Sequence, residues 1–149
     1  MNLESIMERM AEHFRPDAWS LLMVDEKRNE LYFALASGTA AESLKDVRLK
    51  LGEGIAGWVA QNGERLVVPD VYTDPRFAKR IDEMTRWQTR SMLCFPLLSR
   101  ERVIGVIQLI NVDKESFSDH ELFFLQSLCD NAAAAIDSSR AAEVRREST

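Results

Sequence analysis

Two largely apolar runs, residues 89–98 and 103–110, stand either side of a short polar link, Ser99-Arg100-Glu101. A link that short joins antiparallel neighbours, because a parallel crossover needs a dozen residues or more. The second run is apolar at successive positions, so it is buried on both faces and belongs in the middle of a sheet. Pro96 interrupts the first run. Proline has no N–H for a ladder, so a bulge or an edge is expected there.

The rest of the chain supplies partners for this hairpin. Leu3, Ile6, Met7, Met10 and Phe14 recur at helical spacing, predicting an amphipathic helix that Pro16 and Asp17 stop. Residues 18–24 and 30–36 read as strands joined by Asp25-Glu26-Lys27-Arg28-Asn29, a second hairpin, and Ser37-Gly38-Thr39 breaks the latter strand. Residues 46–51 alternate as a strand with one wet face. A short helix over 54–61 ends at Asn62-Gly63, residues 66–68 are a brief extended piece, and residues 76–88 read as a loop with a turn or two of helix. Ser118 and Glu121 form a capping box that opens a helix through Leu122, Leu125, Cys129, Ala132 and Ile136 to at least Arg140, with Arg140, Arg145 and Arg146 suited to its negative end. The order predicts an α+β domain, an antiparallel sheet with both terminal helices on one face.

Composition narrows the function. The 149 residues suffice for one domain that folds without a metal or disulfide. Nineteen basic residues against 24 acidic ones, a net charge of −5, argue against broad nucleic-acid binding. The acids in the first ten residues and the lack of any 18-residue apolar stretch predict a soluble, cytoplasmic chain with no membrane contact. Cys94 and Cys129 lack metal or disulfide spacing, and His13 and His120 are isolated, so neither metal nor haem is expected. The carboxylates at 70, 74, 82 and 83 lack a nearby nucleophile and read as turn chemistry, leaving no catalytic residue. Trp58, Met84, Trp87 and Met92 are candidates for a pocket wall or for plain core.

Gly52-Glu53-Gly54-Ile55-Ala56-Gly57 spells G-x-G-x-x-G between a strand and a helix, the outline of a dinucleotide-binding turn. Its surroundings argue otherwise. The preceding strand exposes Arg48 and Lys50, the helix is too short for a return crossover, and no repeated strand–helix units follow. The glycines are expected to serve a tight strand-to-helix turn.

Four blocks carry a stronger signal: Leu51-Gly52-Glu53-Gly54-Ile55-Ala56-Gly57-Trp58-Val59-Ala60; Val68-Pro69-Asp70-Val71-Tyr72-Thr73-Asp74-Pro75-Arg76-Phe77; Arg90-Ser91-Met92-Leu93-Cys94-Phe95-Pro96-Leu97; and Val103-Ile104-Gly105-Val106-Ile107-Gln108-Leu109-Ile110-Asn111. In this order they resemble the segments of GAF domains, the small-molecule sensors of cyclic-nucleotide phosphodiesterases, adenylyl cyclases, phytochromes and bacterial signalling proteins. The likeness runs from about Leu3 to Arg140. It implies a single domain over residues 1–140 with a sheet of about six strands, a pocket on the face away from the terminal helices, and a roof of short helices and loop. Residues 141–149 then form a polar, helix-prone extension towards an effector domain.

Within the family, the phosphodiesterase sensors look closest. The resemblance places cyclic-nucleotide contacts on Ser20, Ala36, Ser37, Ile55, Ala56, Ala78, Asp82, Thr89 and Gln108, with Asp82 and Thr89 offering hydrogen bonds and Ile55 a packing surface. Gln108 lies in the apolar central strand and needs a partner if buried. The chain also departs from that pattern: Ala36, Ser37 and Ala78 stand where larger or charged groups are usual. Asn111, Phe117 and Glu121 survive from a further motif, while Val112 replaces its lysine. The ligand, a cyclic nucleotide or another small metabolite, stays open.

Three functions from different classes follow. The preferred one is a non-enzymatic sensor whose pocket occupancy biases the terminal helices. The second is a ligand-free dimerisation module. Leu122-Phe123-Phe124-Leu125 is apolar on more than one stripe and the following alanines permit close approach, so Phe124, Leu128 and Ala135 are assigned to a homodimer interface. The competing explanation is that the first helix covers that stripe within the chain. The third is an enzyme resembling the free methionine sulfoxide reductases, which needs a reactive thiolate that mid-strand Cys94 and mid-helix Cys129 are poorly placed to supply.

Overall fold

A computed structural model describes residues 2–38, 40–85 and 87–147, with side chains as far as residue 144. Thr39 of the expected break, Arg86 of the expected loop, the Arg145 and Arg146 side chains and residues 148–149 of the extension lie outside the described residues.

Helix α1 (Leu3–Phe14) is capped by Asn2, whose Oδ1 accepts from the Ser5 N–H at 2.8 Å, and it stops where Arg15 turns left-handed. The two hairpins form as the polar links require: β1 (Ala18–Asp25) with β2 (Glu30–Ala36), and β5 (Met92–Ser99) with β6 (Arg102–Ile110). Between them lie α2 (Ala40–Leu44), β3 (Arg48–Lys50), α3 (Gly54–Asn62), β4 (Leu66–Val68) and α4 (Lys79–Thr85), and the 29-residue α5 (Asp119–Glu147) closes the chain. The six strands make one antiparallel sheet in the order β3-β2-β1-β6-β5-β4. This is an α+β fold with the two hairpins side by side at its centre.

Strand alternation divides the interior into two layers. Trp19, Leu21 and Met23 of β1, Ile107 and Leu109 of β6, and Leu93, Phe95 and Leu97 of β5 face α1 and α5. Leu22, Val106, Cys94, Met92 and Ile110 face α2, α3 and the roof. Between Leu21 and Leu22 the β1–β2 register shifts, so Ala34 of β2 is the extra residue of a bulge and Ala36 rejoins the second layer opposite Ser20.

Pro96 takes the edge position, one of the two alternatives expected for it. β4 pairs no further than Cys94, so β5 is an edge on that side at Pro96, and the register slips between Leu97 and Leu98. The glycine-rich turn proves to be steric. Gly54 has φ +70°, and a Cβ on Gly57 would stand 2.7 Å from the Lys50 carbonyl oxygen. Ser118 caps α5 weakly, its Oγ accepting from the Glu121 N–H at 3.4 Å. α5 then passes through residue 140 without interruption.

Candidate functional site

Between the second face of the sheet and α3 and α4 lies a small hollow lined by Phe33 and Leu49, by Gly54, Ile55 and Ala56 at the start of α3, and by Phe77, Ala78, Ile81 and Asp82 of the roof; Trp87, Thr89, Met92, Gln108 and Ile110 complete it. Its volume is about 30 Å³. That holds a water molecule or two, whereas pockets for drug-sized ligands run to roughly 300–1,000 Å³. A larger ligand enters only if the roof moves outward.

The roof is built to allow that. No residue of α4 is fully buried; Ile81 packs half-buried against the second layer, and the remaining hold on the helix is polar. Arg80 donates to the Arg48 carbonyl at 2.7 Å and to the Glu53 carboxylate at 3.2 Å. Asp82 accepts from the Thr89 hydroxyl at 2.5 Å and from the Thr89 N–H at 3.0 Å. Upstream, Arg76 makes a two-pronged pair with Asp74 at 2.8 and 2.7 Å and lies over the Trp58 ring, 4.7 Å from its centre. The Arg76 guanidinium lowers the Asp74 carboxyl below its usual range. Glu53 is lowered too, first by the Lys50 N–H and then by Arg80.

Six of the nine expected contact positions line this one hollow: Ile55, Ala56, Ala78, Asp82, Thr89 and Gln108. The other three sit apart from its lining. Ser20 is fully buried on the same face, directly opposite Gln108 in the β1–β6 register, and its hydroxyl has no hydrogen-bond partner among the described residues. Ala36 packs into the second layer beside it. Ser37 turns to the backbone instead, its Oγ accepting from the Trp19 N–H at 2.9 Å. Gln108 is 6% exposed and makes no side-chain hydrogen bond among the described residues. Asp82 and Thr89, expected to meet a ligand separately, bond each other. Among the described residues no lysine or arginine lines the hollow.

The Asn111 side chain has a role that its place in a family motif does not announce. Asn111 ends β6 in a left-handed conformation, φ +58°, and its amide bonds to Asp17, Gln88, Arg90 and Ser91. Asparagine after a strand was the available hint, since it tolerates that backbone.

The remaining candidates resolve by burial. Burial pushes the Cys94 and Cys129 thiols far up, and both stay protonated. Leu128 is 2% exposed inside the single chain and has almost no surface to offer a partner. Phe124 stacks on Phe14 with ring centres 6.0 Å apart and meets the edge of His13, so α1 covers it. Ala135 is half-buried against the same layer. Among the described residues no group of three or more His, Cys, Asp or Glu side chains is arranged to hold a metal.

A family model described as "GAF domain" matches residues 2–136. The chain belongs to the GAF family. A relative from Caenorhabditis elegans, named a probable 3',5'-cyclic phosphodiesterase pde-5, is 38% identical over 104 residues, 64% of this chain and 14% of its own length. A dual 3',5'-cyclic-AMP and -GMP phosphodiesterase 11A from Takifugu rubripes is 32% identical over 135 residues, 83% of this chain and 15% of its own. The GAF match therefore spans about one seventh of these relatives. Among solved structures, the GAF domain of a phosphoenolpyruvate-protein phosphotransferase from Coxiella burnetii superposes with a TM-score of 0.84 at 25% identity, covering 96% of this chain and 87% of that one.

Proposed function

We propose that this GAF domain is a non-enzymatic, small-molecule-sensing regulatory module. A ligand enters beneath α4, displaces the roof from its closed position and biases the terminal helices towards a downstream effector in the cytoplasm. The observation that carries this reading is the Ser20 hydroxyl, buried in an apolar layer without a hydrogen-bond partner among the described residues and set directly opposite Gln108 of the hollow's lining. A buried polar group without a partner costs stability, and a ligand's hydrogen bonds recover that cost. The closed hollow and the open one differ in ligand affinity, which is what lets a ligand shift the balance between them.

A cyclic nucleotide is the ligand class the phosphodiesterase relatives favour. With no cation among the described residues of the lining, its phosphate would depend on the N–H groups at the start of α3, residues 54–56, whose neighbour Glu53 is already tied to Lys50 and Arg80. The test is a thermal-shift panel of cyclic AMP, cyclic GMP, their nucleosides and small metabolites, repeated on Gln108→Leu. A compound that raises the melting temperature of the parent and not of the variant is expected. If no compound stabilises the parent, or if the shift survives Gln108→Leu, the sensing role falls.

A second role is favoured by a different observation. Phe123 is 74% exposed and Val144 64% exposed on the side of α5 turned from the sheet. A homodimer through the terminal helices would use that side rather than Leu128. Sedimentation of Phe123→Glu distinguishes it, since a dimer built there dissociates.

A further inference from the structure

The sheet separates the hollow from α1 and α5, so a change at the roof must reach the helices through the sheet or round its end. We propose that Asn111 is the positioning residue that carries it round the end, tying the mouth of the hollow to the α1–β1 junction. This deepens the sensing role and rests on it in one respect: the mouth must move.

Asn111 stands where the two meet. Its Oδ1 accepts from the Arg90 N–H at 2.6 Å and the Ser91 N–H at 3.0 Å. Its Nδ2 donates to the Gln88 carbonyl at 2.9 Å and to the Asp17 carboxylate at 2.9 Å. Both donors and both acceptor positions of the amide are thus in use, which holds its orientation. Backbone bonds run alongside: the Asn111 N–H donates to the Ser91 carbonyl at 2.9 Å, and the Asp17 N–H to the Ile110 carbonyl at 2.8 Å. The strap from 88 to 91 is bracketed by the hollow, since Trp87 and Thr89 both line it. Asp17 follows Pro16 at the exit of α1, whose Met7, Met10 and Phe14 pack into the first layer. When the strap shifts, the amide must either follow it and pull on Asp17 or give up bonds at one side.

The left-handed backbone makes the idea separable from the turn itself. Glycine adopts φ +58° without strain, so Asn111→Gly keeps the chain path and removes the four side-chain bonds. Asn111→Asp keeps the acceptors for Arg90 and Ser91 but loses the donors and sets a carboxylate against Asp17. Adding Asp17→Asn to it restores that bond with donor and acceptor exchanged.

The experiment is a double-mutant cycle read by hydrogen exchange on the whole chain, with no ligand required. Thr89→Val loosens the strap by removing the shorter of its two bonds to Asp82, the one from the hydroxyl, and leaves the N–H bond in place. In the parent it is expected to raise exchange in residues 10–19 roughly tenfold, and in Asn111→Gly to add nothing further there. Equal effects in the two backgrounds, or none in the parent, overturn the proposal. If Asn111→Gly does not fold, the cycle runs on Asn111→Asp, where the effect of Thr89→Val is expected to vanish and to return with Asp17→Asn; an effect alike in single and double variants overturns it. The thermal-shift panel judges ligand sensing separately, so the two can fail independently.

Discussion

The two faces of the sheet solve the same packing problem with different materials. On the helix side, Phe95, Ile107, Leu109 and Leu125 are at most 1% exposed, and long apolar side chains of α1 and α5 fill the space between. On the other side α3 is tucked in by Ile55, Ala56 and Val59, but beyond it the cover is α4, which has no fully buried residue, packs only the half-buried Ile81 against the layer, and is fixed by Arg80, Asp82 and their partners. Apolar burial is worth ~1.5–3 kcal/mol for each large side chain, and an exposed polar contact far less. One face therefore resists opening and the other is held shut lightly, the division of labour a sensor needs.

The largest test of that contrast is a pair of truncations. Phe95→Ala on the helix side is expected to cost ~3–5 kcal/mol by urea unfolding, because the site is fully enclosed and leaves a cavity. Ile81→Ala in the roof should cost less than about 1 kcal/mol, because the side chain is only half-buried. Similar losses from the two would mean that the roof is integral to the fold, and the contrast would break.

How much of this the sequence displays depends on the range of the forces involved. The hairpins are legible because the polar links 25–29 and 99–101 are local and force antiparallel pairing. α1 is legible because one apolar stripe repeats through it. α2 is invisible because Ala40-Ala41-Glu42-Ser43-Leu44 is too short to display a period. The roof reads as a loop because its helix is fixed by partners far away in the chain, with Arg80 reaching Arg48 and Glu53. The second apolar stripe on α5 is visible in Phe124, but nothing local says whether α1 or another chain covers it; the ring contacts with Phe14 show that α1 covers part of it. In the hollow, the family blocks carry Ile55, Ala56 and Gln108 to the right face. Ser37 is diverted to the Trp19 backbone at the strand break, a local bond that spacing does not announce.

A smaller effect sharpens the contrast from the cavity side. Ser20→Ala removes a buried hydroxyl without a partner, so the variant is expected to be more stable than the parent by ~1 kcal/mol in the same urea measurement. The usual outcome of truncating a buried residue is a loss. A loss at Ser20 would show that its hydroxyl is satisfied, and would remove the strain that a ligand is proposed to relieve.

The smallest effect comes from acid. Glu53 holds Arg80 to the turn before α3, and the Lys50 N–H and Arg80 keep its carboxyl below its ordinary 4.5. The folded chain therefore binds that proton less readily than the unfolded one does. Its stabilisation is complete above 4.5 and is lost as the pH falls through the lowered folded value. The carboxylate is 35% exposed, so water screens the pair and the whole effect amounts to about a degree in melting temperature. Glu53→Gln should lose this part of the acid sensitivity while leaving the helix side untouched. Melting curves of parent and variant are expected to run parallel above 4.5 and to converge below it, and convergence should also appear at neutral pH in molar salt, where screening does what protonation does in acid. Curves that stay parallel throughout would mean that Glu53 takes no part in holding the roof, leaving Thr89 and Asp82 as its polar fastening.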